Sequence, residues 1–200
     1  MPFAAVVPGL VIAVGLDLIA LAGWSEKQAA LVRLSPLVLV GLPWVTLLVL
    51  RRSPAALGYI RHRAVARFGW GVLAGALWRG ASLALNLWWT EAPDRLGAGP
   101  WDWLGGLIWV PFVEETFYRG YLGLGLQKRC GRLGAVVLQA LLFTLHPVHW
   151  SQGFPHLVSV FGFGLLAGAL VARTGSIWPA WGAHAMANVL PAALTEVLRG

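Results

Sequence analysis

The sequence contains few of the residues on which soluble and secreted enzymes of this size rely. Only 12% of the 200 residues are charged, eight residues are acidic, and Cys130 is the one cysteine. A lone cysteine forms no disulfide within the chain, no C-x-x-C redox motif and no cysteine-based zinc site. The sequence also lacks H-E-x-x-H, the helical zinc motif of many metalloproteases. These absences exclude a disulfide scaffold and the most familiar metal-dependent hydrolase pattern.

Apolar residues, in contrast, make up 58% of the chain and recur in long runs from end to end. A bilayer core requires about 20 apolar residues per helix, so this length holds about seven spans and short loops. We therefore predict an all-α fold, a polytopic transmembrane helical bundle of about seven spans that forms a single domain over residues 1–200. The predicted spans cover residues 3–24, 34–50, 69–89, 101–127, 133–150, 157–173 and 177–198.

The basic residues lie mostly at the ends of these spans, so membrane topology explains the net charge of +7 better than nucleic-acid binding does. Lys and Arg concentrate in the connections between spans 2 and 3, 4 and 5, and 6 and 7, which places the N-terminus in the cytoplasm. In the first connection, arginines among apolar residues at 53–68 predict a short interfacial helix. Arg79, near the middle of span 3, needs an acidic partner on another span.

Three ionisable side chains, Glu114, Glu115 and Arg119, interrupt the apolar run of span 4. An ionised group at membrane depth costs roughly 3 kcal/mol on insertion scales, so such residues usually face a polar interior and have a function. Residues four apart share a helix face, which lets Glu115 pair with Arg119. Glu114 projects about 100° away and stays available as a base toward water.

Two more spans supply polar groups at membrane depth. His184 and Asn188 are four apart on one face of span 7, where an imidazole and an amide suit a developing oxyanion. His146 lies near the far end of span 5, with His149 one turn beyond. Each group alone is explained as well by packing or by an ion pair. Together they predict a catalytic site on spans 4, 5 and 7.

At these residues the chain resembles a known family. Residues 114–119 (EETFYR) match E-E-x-x-x-R and residues 184–188 (HAMAN) match H-x-x-x-N. Both motifs characterise the CAAX-protease and bacteriocin-processing (CPBP or Abi) family of intramembrane endopeptidases, which includes the Ras-converting CAAX endopeptidase. The resemblance covers about half the chain, roughly residues 101–190. The family's middle motif is usually F-x-x-x-H. Here Leu142 stands at the phenylalanine position if His146 is the motif histidine, and His149 remains the alternative.

The resemblance implies peptide-bond hydrolysis by a glutamate-type mechanism with activated water. Glu114 would be the general base and His146 its partner, while Glu115 and Arg119 would organise the site. His184 and Asn188 would polarise the scissile carbonyl and stabilise the oxyanion. No cofactor is expected: zinc bound by Glu and His is the alternative to the favoured metal-free mechanism.

The expected partners are membrane lipid and a protein or peptide substrate with a hydrophobic C-terminal segment, with no role for nucleic acid. The resemblance further suggests an integral protein of a bacterial inner membrane, similar to the small sorting branch known as myxosortases, which processes C-terminal sorting signals. Two other interpretations remain. One is a non-catalytic immunity or scaffold protein, and the other is a small proton-coupled transporter that uses Glu114, Arg119 and His184 as a relay.

Overall fold

The computed structural model describes the backbone of residues 1–21, 25–89 and 99–199, and side chains over most of these ranges. All regular structure in the described residues is helical, which confirms the all-α prediction. The α-helices are α1 (Val7–Leu21), α2 (Ser25–Val49), α3 (Ala64–Trp89), α4 (Pro100–Leu104), α5 (Val110–Glu114), α6 (Leu124–Thr144), α7 (Gly153–Thr174) and α8 (Trp178–Arg199). Three 3₁₀ turns occur at Phe3–Ala5, Pro54–Leu57 and Pro147–Gln152.

The number of membrane spans stays a prediction. Among the described residues, α7 is the one helix that is both long and apolar enough to cross a bilayer by itself. Val7–Ile19 within α1 and Leu34–Val49 within α2 are shorter apolar stretches. Residues 25–33, which the predicted bounds leave between spans 1 and 2, belong to α2, which begins at Ser25.

The predicted fourth span is a continuous helical rod whose backbone passes twice from α to π geometry. Two π-helical segments, Gly105–Trp109 and Glu115–Gly123, alternate with α4 and α5. Pro111 has no N–H to donate to the carbonyl of Leu107, and the indole of Trp181 in α8 donates to that carbonyl instead, at 3.1 Å. Wide π turns of this kind occur often at functional sites. The acidic pair lies at the junction of α5 and the second π segment.

α6 bends sharply where the sequence predicts a loop. Gly131 has φ 67° and ψ 175°, a conformation that side chains with a Cβ rarely adopt. This break lies within the basic link predicted between spans 4 and 5.

The other end of α6 differs from the prediction, because the helix stops at Thr144 and not near residue 150. The prediction that His146 lies on the fifth span is therefore wrong in this detail. Pro147 disfavours helical backbone at the residue before it.

The interfacial helix predicted at 53–68 is also wrong. The segment forms the 3₁₀ turn Pro54–Leu57 and a left-handed Gly58 (φ 87°), and α3 begins at Ala64. Leu57 is fully buried, and the Gly58 carbonyl accepts a hydrogen bond from the N–H of Ile177 at 2.8 Å. Arginines among apolar residues fit a surface helix and also a buried turn with exposed ends. The sequence pattern at 53–68 therefore did not distinguish these two structures.

Glycines bring α3 and α8 into backbone contact. A Cβ on Gly71 would lie 2.7 Å from the carbonyl carbon of Pro179, and one on Gly75 would lie 2.7 Å from the Cα of Ala183. Both contacts advance by four residues in the same direction, so the two helices run parallel. By this register Arg79 lies level with Ala187, between His184 and Asn188.

α6 and α7 also approach each other through glycines. Gly164 packs against Ala140, and Gly168 packs against Gln139, whose amide donates to the Gly164 carbonyl at 2.8 Å. Gly162, on another face of α7, contacts the indole of Trp78 in α3. Small residues at these three positions of α7 let the neighbouring helices approach closely.

Candidate active site

Glu115 and Arg119 form a buried ion pair. The Nη1 atom of Arg119 lies 3.2 Å from Oε1 of Glu115, and neither side chain is exposed to solvent. The guanidinium also lies 4.1 Å above the ring centre of Phe143 in α6. The structure therefore contains the pair that the spacing predicts. An aromatic face adds cation–π attraction to a charge that has no access to water.

His184 of α8 lies between the two adjacent carboxylates. Its Nδ1 atom is 2.7 Å from Oε1 of Glu115, and its Nε2 atom is 3.7 Å from Oε2 of Glu114. One oxygen of Glu115 thus contacts both the arginine and the imidazole. No sequence pattern indicated this contact, because 69 positions separate Glu115 from His184 and helix spacing carries no information over that distance.

These groups open onto a cavity of about 650 Å³. Its wall includes Glu114, His184 and Asn188, together with the aromatic side chains of Phe143 and Phe163. The Glu114 side chain is 15% exposed, and its Oε2 atom has no hydrogen-bond partner in the described structure. A volume of this size is within the range of small-molecule and peptide sites. The Glu114 side chain therefore lines a space large enough for water and substrate.

The two histidines near the end of α6 have different positions. His149 lies on the cavity wall, with its ring centre 4.8 Å from that of Phe143. His146 is buried outside that wall, and its Nδ1 atom accepts the backbone N–H of Val148 at 3.4 Å. The structure brings Glu114, Glu115, Arg119, His184 and Asn188 together, and it places His149, not His146, on the cavity wall.

Comparison with known proteins identifies the motif-bearing part of the chain. A family model described as "Type II CAAX prenyl endopeptidase Rce1-like" matches residues 96–190. Residues 96–190 belong to this Rce1-like family. The matched segment includes both acidic residues, Arg119, His146, His149, His184 and Asn188. No curated protein and no solved structure matches the chain.

Asn188 of the Rce1-like segment holds α8 against the first π segment. Its Nδ2 atom donates to the carbonyl of Gly106 at 3.1 Å, next to the Leu107 carbonyl that accepts from Trp181. An asparagine amide has two N–H donors, so one remains for a group in the cavity. Asn188 therefore fixes the position of His184 one turn away and can also contact a ligand.

Two charged wall residues were not among the predicted site residues. Arg79 of α3 and Asp102 of α4 both line the cavity. A carboxylate oxygen of Asp102 accepts the N–H of Gly99 at 3.3 Å. An arginine in the middle of an apolar span was the signal for Arg79, although its position on the cavity wall follows only from the fold. Nothing in the sequence distinguished Asp102 from an ordinary loop acid.

The Rce1-like site has carboxylates and imidazoles, which are suitable ligands for zinc. Among the described residues, however, no group of three or more His, Cys, Asp or Glu side chains is placed to hold one metal ion. The contacts of Glu115 with the arginine and with His184 also occupy one of its oxygens. The described residues therefore do not fit a metal centre, and no step of the chemistry below requires one.

Proposed function

We propose that this chain is an intramembrane endopeptidase that hydrolyses a peptide bond in a membrane-presented protein or peptide tail. The Rce1-like family supports a CAAX-type protease in general and is membrane-integral. The observation that carries the proposal is the contact of His184 with both acids, at a Glu114 side chain that lines the cavity. These positions support a glutamate-type mechanism.

The charges of the four central groups support specific roles. With Glu114 and Glu115 ionised and Arg119 cationic, a protonated His184 makes the cluster neutral, which reduces the cost of burial. The 2.7 Å bond to Glu115 orients the ring, so its Nε2–H faces Glu114 and the cavity. A separation of 3.7 Å between Nε2 and Oε2 is too long for a direct hydrogen bond, and we propose that a water or substrate oxygen bridges the two groups during the reaction.

In this mechanism Glu114 accepts a proton from water as the water oxygen attacks the scissile carbonyl carbon. The carbonyl oxygen becomes an oxyanion, which the Nε2–H of His184 and the second amide N–H of Asn188 stabilise. The carbon–nitrogen bond then breaks, and Glu114 returns the proton to the departing amine. Glu115 and Arg119 do not exchange protons, since their part is to hold the imidazole.

The middle-motif histidine is the second contact for water in this proposal. The position of His149 on the cavity wall favours it over His146, the histidine that the motif resemblance suggested first. His149 would form one hydrogen bond with the water that Glu114 deprotonates. Substituting each histidine and measuring cleavage distinguishes the two assignments.

The proposed substrates are proteins with a hydrophobic C-terminal segment, and removal of a sorting signal, as in the myxosortase branch, is the proposed setting. The wall of aromatic and aliphatic side chains suits such a segment. Seven spans with the N-terminus in the cytoplasm of a bacterium remain part of the proposal. The parallel packing of α3 and α8 supports it, since spans 3 and 7 cross in the same direction in that topology.

The decisive test is Glu114→Gln, which keeps the size of the side chain and removes the base. The purified protein would be incubated in detergent with two peptide sets, prenylated CAAX peptides and unprenylated tails with an apolar C-terminal helix. We expect cleavage by the wild type and a loss of at least about 100-fold in the variant. A thermal unfolding curve would check that the variant is folded.

Cleavage by Glu114→Gln at the wild-type rate would refute the glutamate mechanism. If neither protein cleaves any peptide but the wild type imports a solute into liposomes with a proton, the transporter interpretation replaces the protease. A protein that binds tails without cleaving them would favour the scaffold interpretation.

A further inference from the structure

A second cavity, much smaller than the first, lies beside the buried ion pair. Its volume is about 10 Å³, and it shares no lining residue with the main cavity. The second π segment, α6 and α7 form its wall, which contains three polar side chains, those of Arg119, Gln127 and Gln139. The other lining residues are glycine, alanine and valine. A volume of this size matches a site for one water molecule.

The side-chain amide of Gln139 is held in one orientation on this wall. Gln139 is buried, and its Nε2 atom donates to the carbonyls of Val136 and Gly164, each at 2.8 Å. An amide has two N–H donors, so both are used and a flip of the amide would break both bonds. Its Oε1 atom has no hydrogen-bond partner among the described residues. Gln139 therefore contributes a fixed acceptor to the small cavity.

Arg119 contributes donors to the same wall. Its Nη1 atom contacts Glu115, and its guanidinium lies over Phe143, which is four residues after Gln139 on α6. Residues four apart share a helix face, so Gln139 and Phe143 face the arginine together. The Nε and Nη2 atoms of Arg119 have no hydrogen-bond partner in the described part of the chain. A buried charged donor without an acceptor costs free energy, so these atoms favour a ligand that can accept.

The chemistry of the two side chains determines which ligand the small cavity takes. A cation would be repelled by the guanidinium of Arg119, and an anion would be repelled by the amide oxygen of Gln139. A neutral molecule that both accepts and donates satisfies both side chains, and the volume restricts it to the size of water. Water can accept from Nε and Nη2 of Arg119 and donate to Oε1 of Gln139, which gives the three hydrogen bonds typical of a buried water.

We propose that the small cavity binds one water molecule that bridges Arg119 to Gln139, and that Gln139 is thereby a positioning residue for the catalytic cluster. The bridge would hold the guanidinium, which contacts Oε1 of Glu115 at 3.2 Å, and the same oxygen holds Nδ1 of His184 at 2.7 Å. The water site stands on the cavity alone. Its effect on cleavage rests on the proposed function, because it acts through His184.

A crystal structure of the wild-type protein, at a resolution that shows ordered water, tests the site directly. We expect one density peak about 2.7 to 3.2 Å from both Oε1 of Gln139 and a guanidinium nitrogen of Arg119. A direct hydrogen bond between the two side chains, or a cavity without density while other buried waters are visible, would overturn the proposal.

Two substitutions separate the amide oxygen of Gln139 from its N–H groups. Gln139→Met removes both, whereas Gln139→Glu keeps oxygen acceptors and loses the N–H pair. We expect Gln139→Met to lower kcat about 10- to 100-fold with KM within about twofold, because a displaced Arg119 moves His184 and leaves the substrate cavity intact. Gln139→Glu should recover most of that loss. If Gln139 only joined α6 to α7 through its N–H groups, both variants would lose activity equally, which would contradict the positioning role.

Gln127→Met is the matched control, because Gln127 is a half-buried glutamine on the same wall and takes no part in the bridge. It should keep kcat within about twofold of the wild-type value. A loss equal to that of Gln139→Met would overturn the specific role of Gln139. The two proposals fail separately. Water bound in a wild type that cleaves no peptide contradicts the protease alone, and cleavage by a protein whose small cavity holds no water contradicts the water site alone.

Discussion

Gly75 of α3 packs against the backbone of Ala183 in α8, one residue before His184. A Cβ at Gly75 would contact the Ala183 carbonyl oxygen and lie 2.7 Å from its Cα and 2.8 Å from its carbonyl carbon. Carbon atoms that are not bonded normally stay about 3.5 to 4.0 Å apart. Because the neighbour is backbone, Gly75→Ala requires the two helices to separate by about 1 Å.

The energetic cost follows from two opposing effects. Overpacking typically costs about 1–3 kcal/mol, and the rigid neighbour places this site at the upper end. Alanine is about 1 kcal/mol better than glycine within a helix, which offsets part of it. We expect a net loss of about 2 kcal/mol, or a fall in Tm of about 4 to 8 °C for a chain of this size.

The functional cost should be larger than the loss of stability. A shift of 1 Å at Ala183 would stretch the 2.7 Å contact between His184 and Glu115 beyond hydrogen-bond range. Displacements of this size can reduce catalysis by about 100-fold. Tryptophan fluorescence during heating in detergent would report Tm, and peptide cleavage below the transition would report activity.

Gly80→Ala is the internal control, since it lies on the same helix and a Cβ there meets nothing within 4 Å. It should raise stability slightly and leave cleavage unchanged. If Gly75→Ala melts at or above the wild-type temperature and cleaves at the Gly80→Ala rate, close packing of α3 on α8 does not hold the site in position.

Three further predictions test individual contacts. Glu115→Gln leaves a buried arginine without its counter-ion, so it should cost about 3–5 kcal/mol and lower folded yield, and a normal unfolding temperature would contradict the ion pair. His149→Ala should reduce cleavage at least 10-fold more than His146→Ala, and the opposite order would restore His146 as the motif histidine. Tyr59 bonds Thr116 at 2.6 Å, and burial raises the pKa of Tyr59 to about 12. The folded protein holds the Tyr59 proton more tightly than the unfolded chain, where the pKa is about 10, so stability should be constant below pH 10 and fall between pH 10 and 12. Tyr59→Phe loses the hydrogen bond and should be about 1 kcal/mol less stable than the wild type below pH 10. The variant should also lack the fall above pH 10.

Helical spacing predicted the parts of the site that belong to a single helix. The i,i+4 relation between Glu115 and Arg119 survives the change from α to π backbone, and the same relation places His184 and Asn188 on one wall. The charge of Glu114 at membrane depth also indicated a polar interior. Each of these predictions needs only the geometry of one helix.

Contacts between helices could not be predicted from the sequence pattern. The contact of His184 with Glu115 depends on how α8 packs, and that packing involves glycines of α3, which are distant in sequence, and the indole of Trp181. The end of α6 was missed for a related reason. An apolar run continues past Thr144, so hydropathy alone extended the helix through the position of Pro147.

The H-x-x-x-N motif illustrates why a correct spacing can still hide a role. The sequence placed Asn188 beside His184 and suggested one function, a donor for the oxyanion. The structure shows that the amide donates a hydrogen bond to the carbonyl of Gly106, in the π segment that precedes Pro111. One side chain therefore joins α8 to the rod that carries Glu114. Asn188→Asp tests this, because the acid has no N–H for the Gly106 carbonyl and adds repulsion, so it should lower Tm as well as cleavage. If Asn188 served only as a donor to the oxyanion, Asn188→Asp would lower cleavage and leave Tm unchanged.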